Sequence, residues 1–201
     1  VQTGGRMWAG AGRDVFYSSD GVTWAQWNST ALFGAGYTIH GITHDGYFPW
    51  VWADNGTTVK ITKVTSTTTS TAAVGDITAS FRTYGAAMLE GKIYFWTGKQ
   101  LLQFDSTASL PITYAEDPNV VHEPFDPAAT GTYNAGIAAS ENSVVYFTAS
   151  AGSTHVFEYR FISATAEFVP RPIWTPSVGF TASHIKCSMA VVYLLGDYTD
   201  Q

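Results

Sequence analysis

Charge is scarce in this chain. Only 13% of its 201 residues are Asp, Glu, Lys or Arg, about half the ~25% of an ordinary soluble domain. A disordered chain needs high charge and low hydrophobicity, so that class is excluded. A coiled coil or helical bundle, built on Ala, Glu, Lys, Leu and Arg, is excluded too. Basic residues are the scarcer sign: ten Lys and Arg stand against sixteen Asp and Glu, a net charge of −6. No basic face for phosphate is expected, and so no nucleic-acid partner. The single cysteine, Cys187, excludes an intrachain disulfide and a multi-cysteine metal site. Long apolar runs are missing as well. The longest, Ala190-Val191-Val192-Tyr193-Leu194-Leu195, falls far short of the ~20 residues of a helical membrane span. The first residues, Val1-Gln2-Thr3-Gly4-Gly5, lack the basic start and apolar stretch of a signal peptide. Both ends read as cut, so a mature product or a fragment of a longer chain is expected.

What the chain does have is aromatic and β-branched residues: 45% are hydrophobic and 15% aromatic. No stretch shows apolar spacing of 3.6. Short runs of Val, Ile, Thr, Tyr, Phe and Trp alternate with Gly, Asp, Asn, Ser and Pro, which predicts strands and turns throughout. Asp20-Gly21, Asp45-Gly46, Asn55-Gly56 and Glu90-Gly91 each sit between apolar runs, where Gly supplies the positive φ of a tight hairpin. The tract Thr65-Ser66-Thr67-Thr68-Thr69-Ser70-Thr71 suits an exposed edge strand or a polar loop.

A layout recurs. The run from Gly85 through Ile93-Tyr94-Phe95-Trp96 to Leu101-Leu102 reads as strand, turn, strand, turn, strand. The run from Gly136 through Val144-Val145-Tyr146-Phe147 to Val156-Phe157 repeats it, as does Gly41 through Trp50-Val51-Trp52 to Val59-Lys60-Ile61. The starting glycines lie 44 and 51 residues apart, and Tyr146 to Tyr193 is a step of 47. Propeller blades of the WD40 and kelch kinds run about 40–50 residues. One small twisted sheet cannot bury both of its faces, so blades stack and the central strand becomes apolar throughout. The expected fold is therefore all-β: a β-propeller of about four to five visible blades of 44–51 residues, as one domain over 1–201 or as part of a larger propeller. The alternative is a β-sandwich, which also spaces short strands regularly.

The segment Tyr17-Ser18-Ser19-Asp20-Gly21-Val22-Thr23-Trp24 resembles an Asp-box (BNR) hairpin, with one residue fewer than usual between Asp and Gly. The resemblance implies that Ser18, Asp20, Gly21, Thr23 and Trp24 form a turn between outer strands of a propeller blade. Asp20 would accept backbone N–H bonds, Gly21 would take positive φ, and Trp24 would cap the hairpin. Similar turn phrases look like those of propeller repeats in bacteriophage tail proteins, and also in secreted glycosidases and lectins. The motif is structural and does not itself specify an activity. A sialidase uses an arginine cluster, and the Arg-Ile-Pro signature of that family is missing among Arg6, Arg13, Arg82, Arg160 and Arg171. Arg171, between Pro170 and Pro172, reads as part of a rigid inter-strand link.

Candidate chemistry is sparse. Glu116, Asp117, Glu123 and Asp126 lie in the longest non-strand segment, where paired carboxylates could serve glycoside hydrolysis or where the loop is simply a solvated connection. No spacing of these carboxylates matches a calcium loop. His40 and His44 could lie near one another, without an evident third zinc ligand. Cys187 lacks a base partner and reads as an inert thiol. Trp50 and Trp52 share a strand face and are read either as core or as contacts for a ligand or partner. No cofactor and no metal is expected.

Interface cores are poor in Lys, Glu and Asp and rich in Tyr, Trp and Phe, and a free surface this poor in charge is poorly soluble. The expected function is accordingly a non-enzymatic structural or adhesion module of a larger assembly, a phage tail or virion protein, with other subunits as partners and the virion tail as location. The alternatives are a secreted, extracellular carbohydrate-binding propeller that contacts a cell-surface glycan, and a glycoside hydrolase.

Overall fold

The computed structural model describes residues 2–3, 5–27, 33–44, 47–56, 59–64, 75–77, 85–98, 100–105, 119–124, 134–140, 142–150, 153–162, 167–174, 179–188 and 191–198. The Thr65–Thr71 tract and the Asp45-Gly46 turn lie outside them.

The described residues form strands and no helix, as expected of this composition. The first sheet has the order β1 (Gln2–Thr3), β2 (Arg6–Ala11), β3 (Asp14–Ser18), β4 (Ala25–Gln26). The second runs β5 (Thr38–His44), β6 (Pro49–Asp54), β7 (Val59–Lys63), β8 (Gly75–Ile77). The third pairs β9 (Gly85–Leu89), β10 (Lys92–Trp96), β11 (Leu101–Asp105) and β12 (Asn119–His122) in sequence order. The fourth is β13 (Asn134–Ala139), β14 (Ser143–Ser150), β15 (Ser153–Ile162), β16 (Glu167–Trp174), and the fifth is only β17 (Phe180–Ser188) and β18 (Val191–Tyr198). The registered pairs are antiparallel between neighbours in sequence. The recurring layout read from the glycine spacing is therefore a repeat of small meandering sheets. No helix among the described residues is long and apolar enough to cross a membrane.

The turns follow the dipeptides. Leu89 pairs with Lys92 across Glu90-Gly91, and both loop residues have positive φ, 48° and 74°. That is the backbone twist that suits a two-residue hairpin. At Asn55-Gly56 the glycine has φ 88°, and its N–H donates to Asp54 Oδ1 at 2.8 Å.

The chain divides into two compact units. One comprises Val1–Arg82 with Asp105–Pro118, and the other Thr83–Phe104 with Asn119–Gln201. In the first, Trp8, Val15, Phe33, Val51, Ala53 and Val64 form a core between the first and second sheets. In the second, one core joins the third sheet to the fourth through Tyr94, Trp96, Leu101, Val144 and Tyr146. Another joins the fourth to the fifth through Val145, Phe147, Val156, Phe180 and Ala182. Alternation explains this division. Tyr146 and Val144 leave one face of β14, Val145 and Phe147 the other, and each face has its own neighbour. Polar groups tie the same layers together. Trp96 Nε1 donates to the Phe147 carbonyl at 2.7 Å. Thr154 Oγ1 donates to the Phe180 carbonyl at 2.9 Å and accepts from the Ala182 N–H at 3.0 Å.

The repeat's glycines serve close approach. A Cβ at Gly41 would lie 2.1 Å from Trp52, and one at Gly136 would lie 2.7 Å from Phe147. Either ring would have to leave its packed position. Gly41→Ala should therefore destabilise the fold by about 1–3 kcal/mol, the usual cost of overpacking, read as a lower urea midpoint with an unchanged slope.

Candidate functional site

The Asp20-Gly21 turn is closed by its own hydrogen bonds. Ser18 ends β3 and is buried. Its Oγ donates to Asp20 Oδ1 at 2.9 Å and accepts the Gly21 N–H at 2.9 Å. Asp20 Oδ1 also accepts the N–H groups of Val22 and Thr23, each at 2.8 Å. Gly21 has φ 78°. These backbone donors and the Ser18 hydroxyl hold the Asp20 carboxyl down at about 2. Trp24, expected to cap the hairpin, is exposed instead. The turn is a built local structure whose acceptor is already occupied by its own backbone.

Trp50 and Trp52 are buried rather than presented at the surface. Trp50 is fully buried and Trp52 nearly so, because β6 lies between β5 and β7 and is covered on both faces. Both belong to the core. Of the acidic candidates, Glu123 follows β12 and accepts a hydrogen bond from Gln100 Nε2 at 2.6 Å, while Glu116, Asp117 and Asp126 lie outside the described residues. His40 Nε2 pairs with Asp54 Oδ2 at 2.8 Å. Cys187 is half-buried on β17, and desolvation pushes its thiol up. Pro170-Arg171-Pro172 is not a link. It lies inside β16, where Arg171 donates to Glu158 Oε2 at 2.6 and 2.9 Å. An edge strand tolerates proline because its outer N–H needs no partner.

The residues that sequence reasoning missed are on the fifth sheet. In the four larger sheets the second strand is paired on both edges; among the described residues β18 is paired only with β17. Val191, Tyr193 and Leu195 alternate along one face of β18 and are 51%, 53% and 66% exposed. On its other face, Val192 and Leu194 line a groove of about 350 Å³ together with Val156, Ile173 and Trp174 of the fourth sheet. Ile173 and Trp174 are themselves exposed. The sequence signal was present in Ala190–Leu195, an apolar run of β-branched, aliphatic and aromatic residues that resembles Val144–Phe147.

A second constellation is polar and half-buried. His122 on β12 places Nδ1 2.5 Å from the Tyr146 hydroxyl, and its ring meets Tyr146 and Phe157 edge-on at 5.8 and 5.3 Å. Desolvation lowers the His122 pKa and raises those of Tyr146 and Tyr159. Tyr94 is pushed up to about 12 by burial, against the hydrogen bond from Gln103 Nε2 at 3.0 Å. Every member is thereby held neutral, which suits packing between sheets.

Two pH effects follow. His122 binds its proton less tightly when folded than when unfolded, so its contribution is present at pH 7 and is lost as pH falls through 6.5 toward the folded value. The urea midpoint should drop between pH 7 and 5, and His122→Gln, which keeps a hydrogen-bonding side chain beside Tyr146, should flatten that drop. Asp20 acts further down. Its contribution is present above about 4 and disappears as pH falls through about 2. Carboxyl NMR should place its midpoint near 2, and Asp20→Ala should lower the melting temperature at pH 7 but not at pH 1.5.

No protein-family model matches the chain, and no curated protein is significantly similar to it. Among solved structures it is similar to a prolyl endopeptidase, one of two analysed for the role of inter-domain dynamics in catalysis and specificity. The TM-score is 0.58 at 11% identity, over 94% of this chain and 31% of that chain. The chain thus spans less than a third of that protein, and at this identity the likeness concerns the fold alone.

Proposed function

We propose that the chain is a non-enzymatic structural or adhesion module of a larger assembly, a tail or other virion protein of a bacteriophage, and that its repeated sheets are blades of a β-propeller. The propeller reading draws support from the meander of about 47 residues, from second strands buried on both faces, and from fold likeness to a prolyl endopeptidase, a protein with a propeller domain. The virion reading rests on the resemblance of the Asp20-Gly21 turn to tail-protein repeats.

One observation carries the assembly reading: the exposed apolar surface formed by Ile173, Trp174 and most of β18. A chain with 13% charged residues has few charges with which to keep such a surface soluble. A neighbouring subunit that covers it removes both problems at once. The described residues that line the groove at β18 are apolar: Val156, Ile173, Trp174, Val192 and Leu194.

The native chain should sediment with assembled particles at fixed stoichiometry, and the purified chain should associate as its concentration rises in light scattering. Recovery only as a free monomer, with no particle association, overturns the reading.

A further inference from the structure

Only one Asn-Gly dipeptide occurs in the chain, Asn55-Gly56, and both residues are exposed in the connection from β6 to β7. Asparagine before glycine carries a reaction of its own. The side-chain carbon Cγ is an electrophile, and the main-chain nitrogen of the next residue can reach it to close a cyclic imide. Glycine hinders that closure least, because it has no Cβ beside the nitrogen. Gly56 is also uncrowded: a Cβ placed on it would meet nothing within 4 Å among the described residues. What an amide nitrogen lacks is nucleophilicity, since its proton must leave as the new bond forms.

The fold puts a base on that proton. Asp54 ends β6, and its Oδ1 accepts the Gly56 N–H at 2.8 Å. Its other oxygen, Oδ2, is held by His40 Nε2 at 2.8 Å. His40 reaches it through a β-bulge. Ile39 pairs with Ala53 and Gly41 with Trp52, so His40 is the extra residue of β5 opposite β6. A bulge re-aims a side chain in this way. The Asp20-Gly21 turn has a similar dipeptide and neither feature. Its Gly21 N–H donates to a neutral hydroxyl, Ser18 Oγ. Its side chain is a carboxylate held by the Val22 and Thr23 N–H groups, which is a poor electrophile.

We propose that Asn55 is a self-modification site, with Asp54 as its base and His40 as the residue that positions Asp54. The Gly56 nitrogen forms a bond to Asn55 Cγ while Asp54 Oδ1 takes its proton. That proton passes to the departing side-chain nitrogen, the Cγ–Nδ2 bond breaks, and ammonia leaves. Water then opens the imide at either carbonyl and gives aspartate or isoaspartate at position 55. Either product adds a negative charge beside Asp54, and isoaspartate also lengthens the main chain by one methylene between β6 and β7. The site stands apart from the assembly reading, and neither rests on the other.

The test follows the full chain at neutral pH by peptide mapping and mass spectrometry. Each product gains one mass unit, and electron-transfer fragmentation separates isoaspartate from aspartate. Folding ordinarily slows imide closure by restricting the loop. A positioned base gives the opposite expectation: residue 55 should react at least threefold faster in the folded chain than in the same chain unfolded in urea. Asp54→Asn, which keeps an acceptor for the Gly56 N–H but no base, should slow the folded chain at least fivefold. His40→Ala leaves the Asp54-Asn55-Gly56 segment intact and covers the case in which Asp54→Asn fails to fold. It should slow the reaction at least threefold, and His40→Gln, which keeps an N–H donor for Asp54, should restore it. Slower reaction in the folded chain than in urea overturns the proposal, as does an unchanged rate in folded Asp54→Asn. An unchanged rate in folded His40→Ala overturns it as well, because Asp54 then needs no positioning.

Discussion

The structure depends on one constraint: a small antiparallel sheet has two faces, and its second strand can be buried only if both are covered. β14 shows the solution. Its residues from Ser143 to Ala149 are buried, with Tyr146 and Val144 in one core and Val145 and Phe147 in the other. Each sheet is thus a partial core that becomes stable through its neighbour. Close approach makes this possible, and so glycine stands at Gly10 and Gly85, where a Cβ would lie 2.5 Å from Ile39 and 2.9 Å from Ile137 of the neighbouring sheet. Hydrogen bonds from Trp96 and around Thr154 satisfy the buried polar groups that remain between layers.

The same constraint singles out the fifth sheet. β17 covers one face of the fourth sheet through Phe180 and Ala182, and Leu194 of β18 packs against the same core, while Val191, Tyr193 and Leu195 are exposed. Propensity, patterning and burial agree with one another in the other sheets, and such agreement usually fails where a protein meets something else. β16 carries two prolines at the edge of its sheet, and β18 carries none. The Asp20 turn and the His122–Tyr146 pair work on a smaller scale. Each is a polar group tied to its own surroundings, Asp20 Oδ1 by Ser18, Val22 and Thr23 and His122 Nδ1 by Tyr146.

Much of the fold could be read from residue types. The buried strands at Ile93–Trp96 and Val144–Phe147, the Glu90-Gly91 hairpin and the bonds of the Asp20 turn are local, because φ preference and strand pattern act over two to six residues. Pro170-Arg171-Pro172 was misread because proline breaks the interior of a sheet but not its edge, and edge position is not written in three residues. Trp50 and Trp52 were open between core and contact because tryptophan suits both.

The sequence by itself determined an all-β chain, a repeat near 47 residues and the scarcity of charge, all consequences of local conformational preference and composition. Tertiary structure alone decided which apolar strands have neighbours. Ala190–Leu195 and Val144–Phe147 are nearly interchangeable as sequences. Yet β14 lies between two other strands and two packed faces, whereas among the described residues β18 pairs with β17 alone and has an exposed face. The difference lies in burial, which is a property of what surrounds a strand and not of the strand.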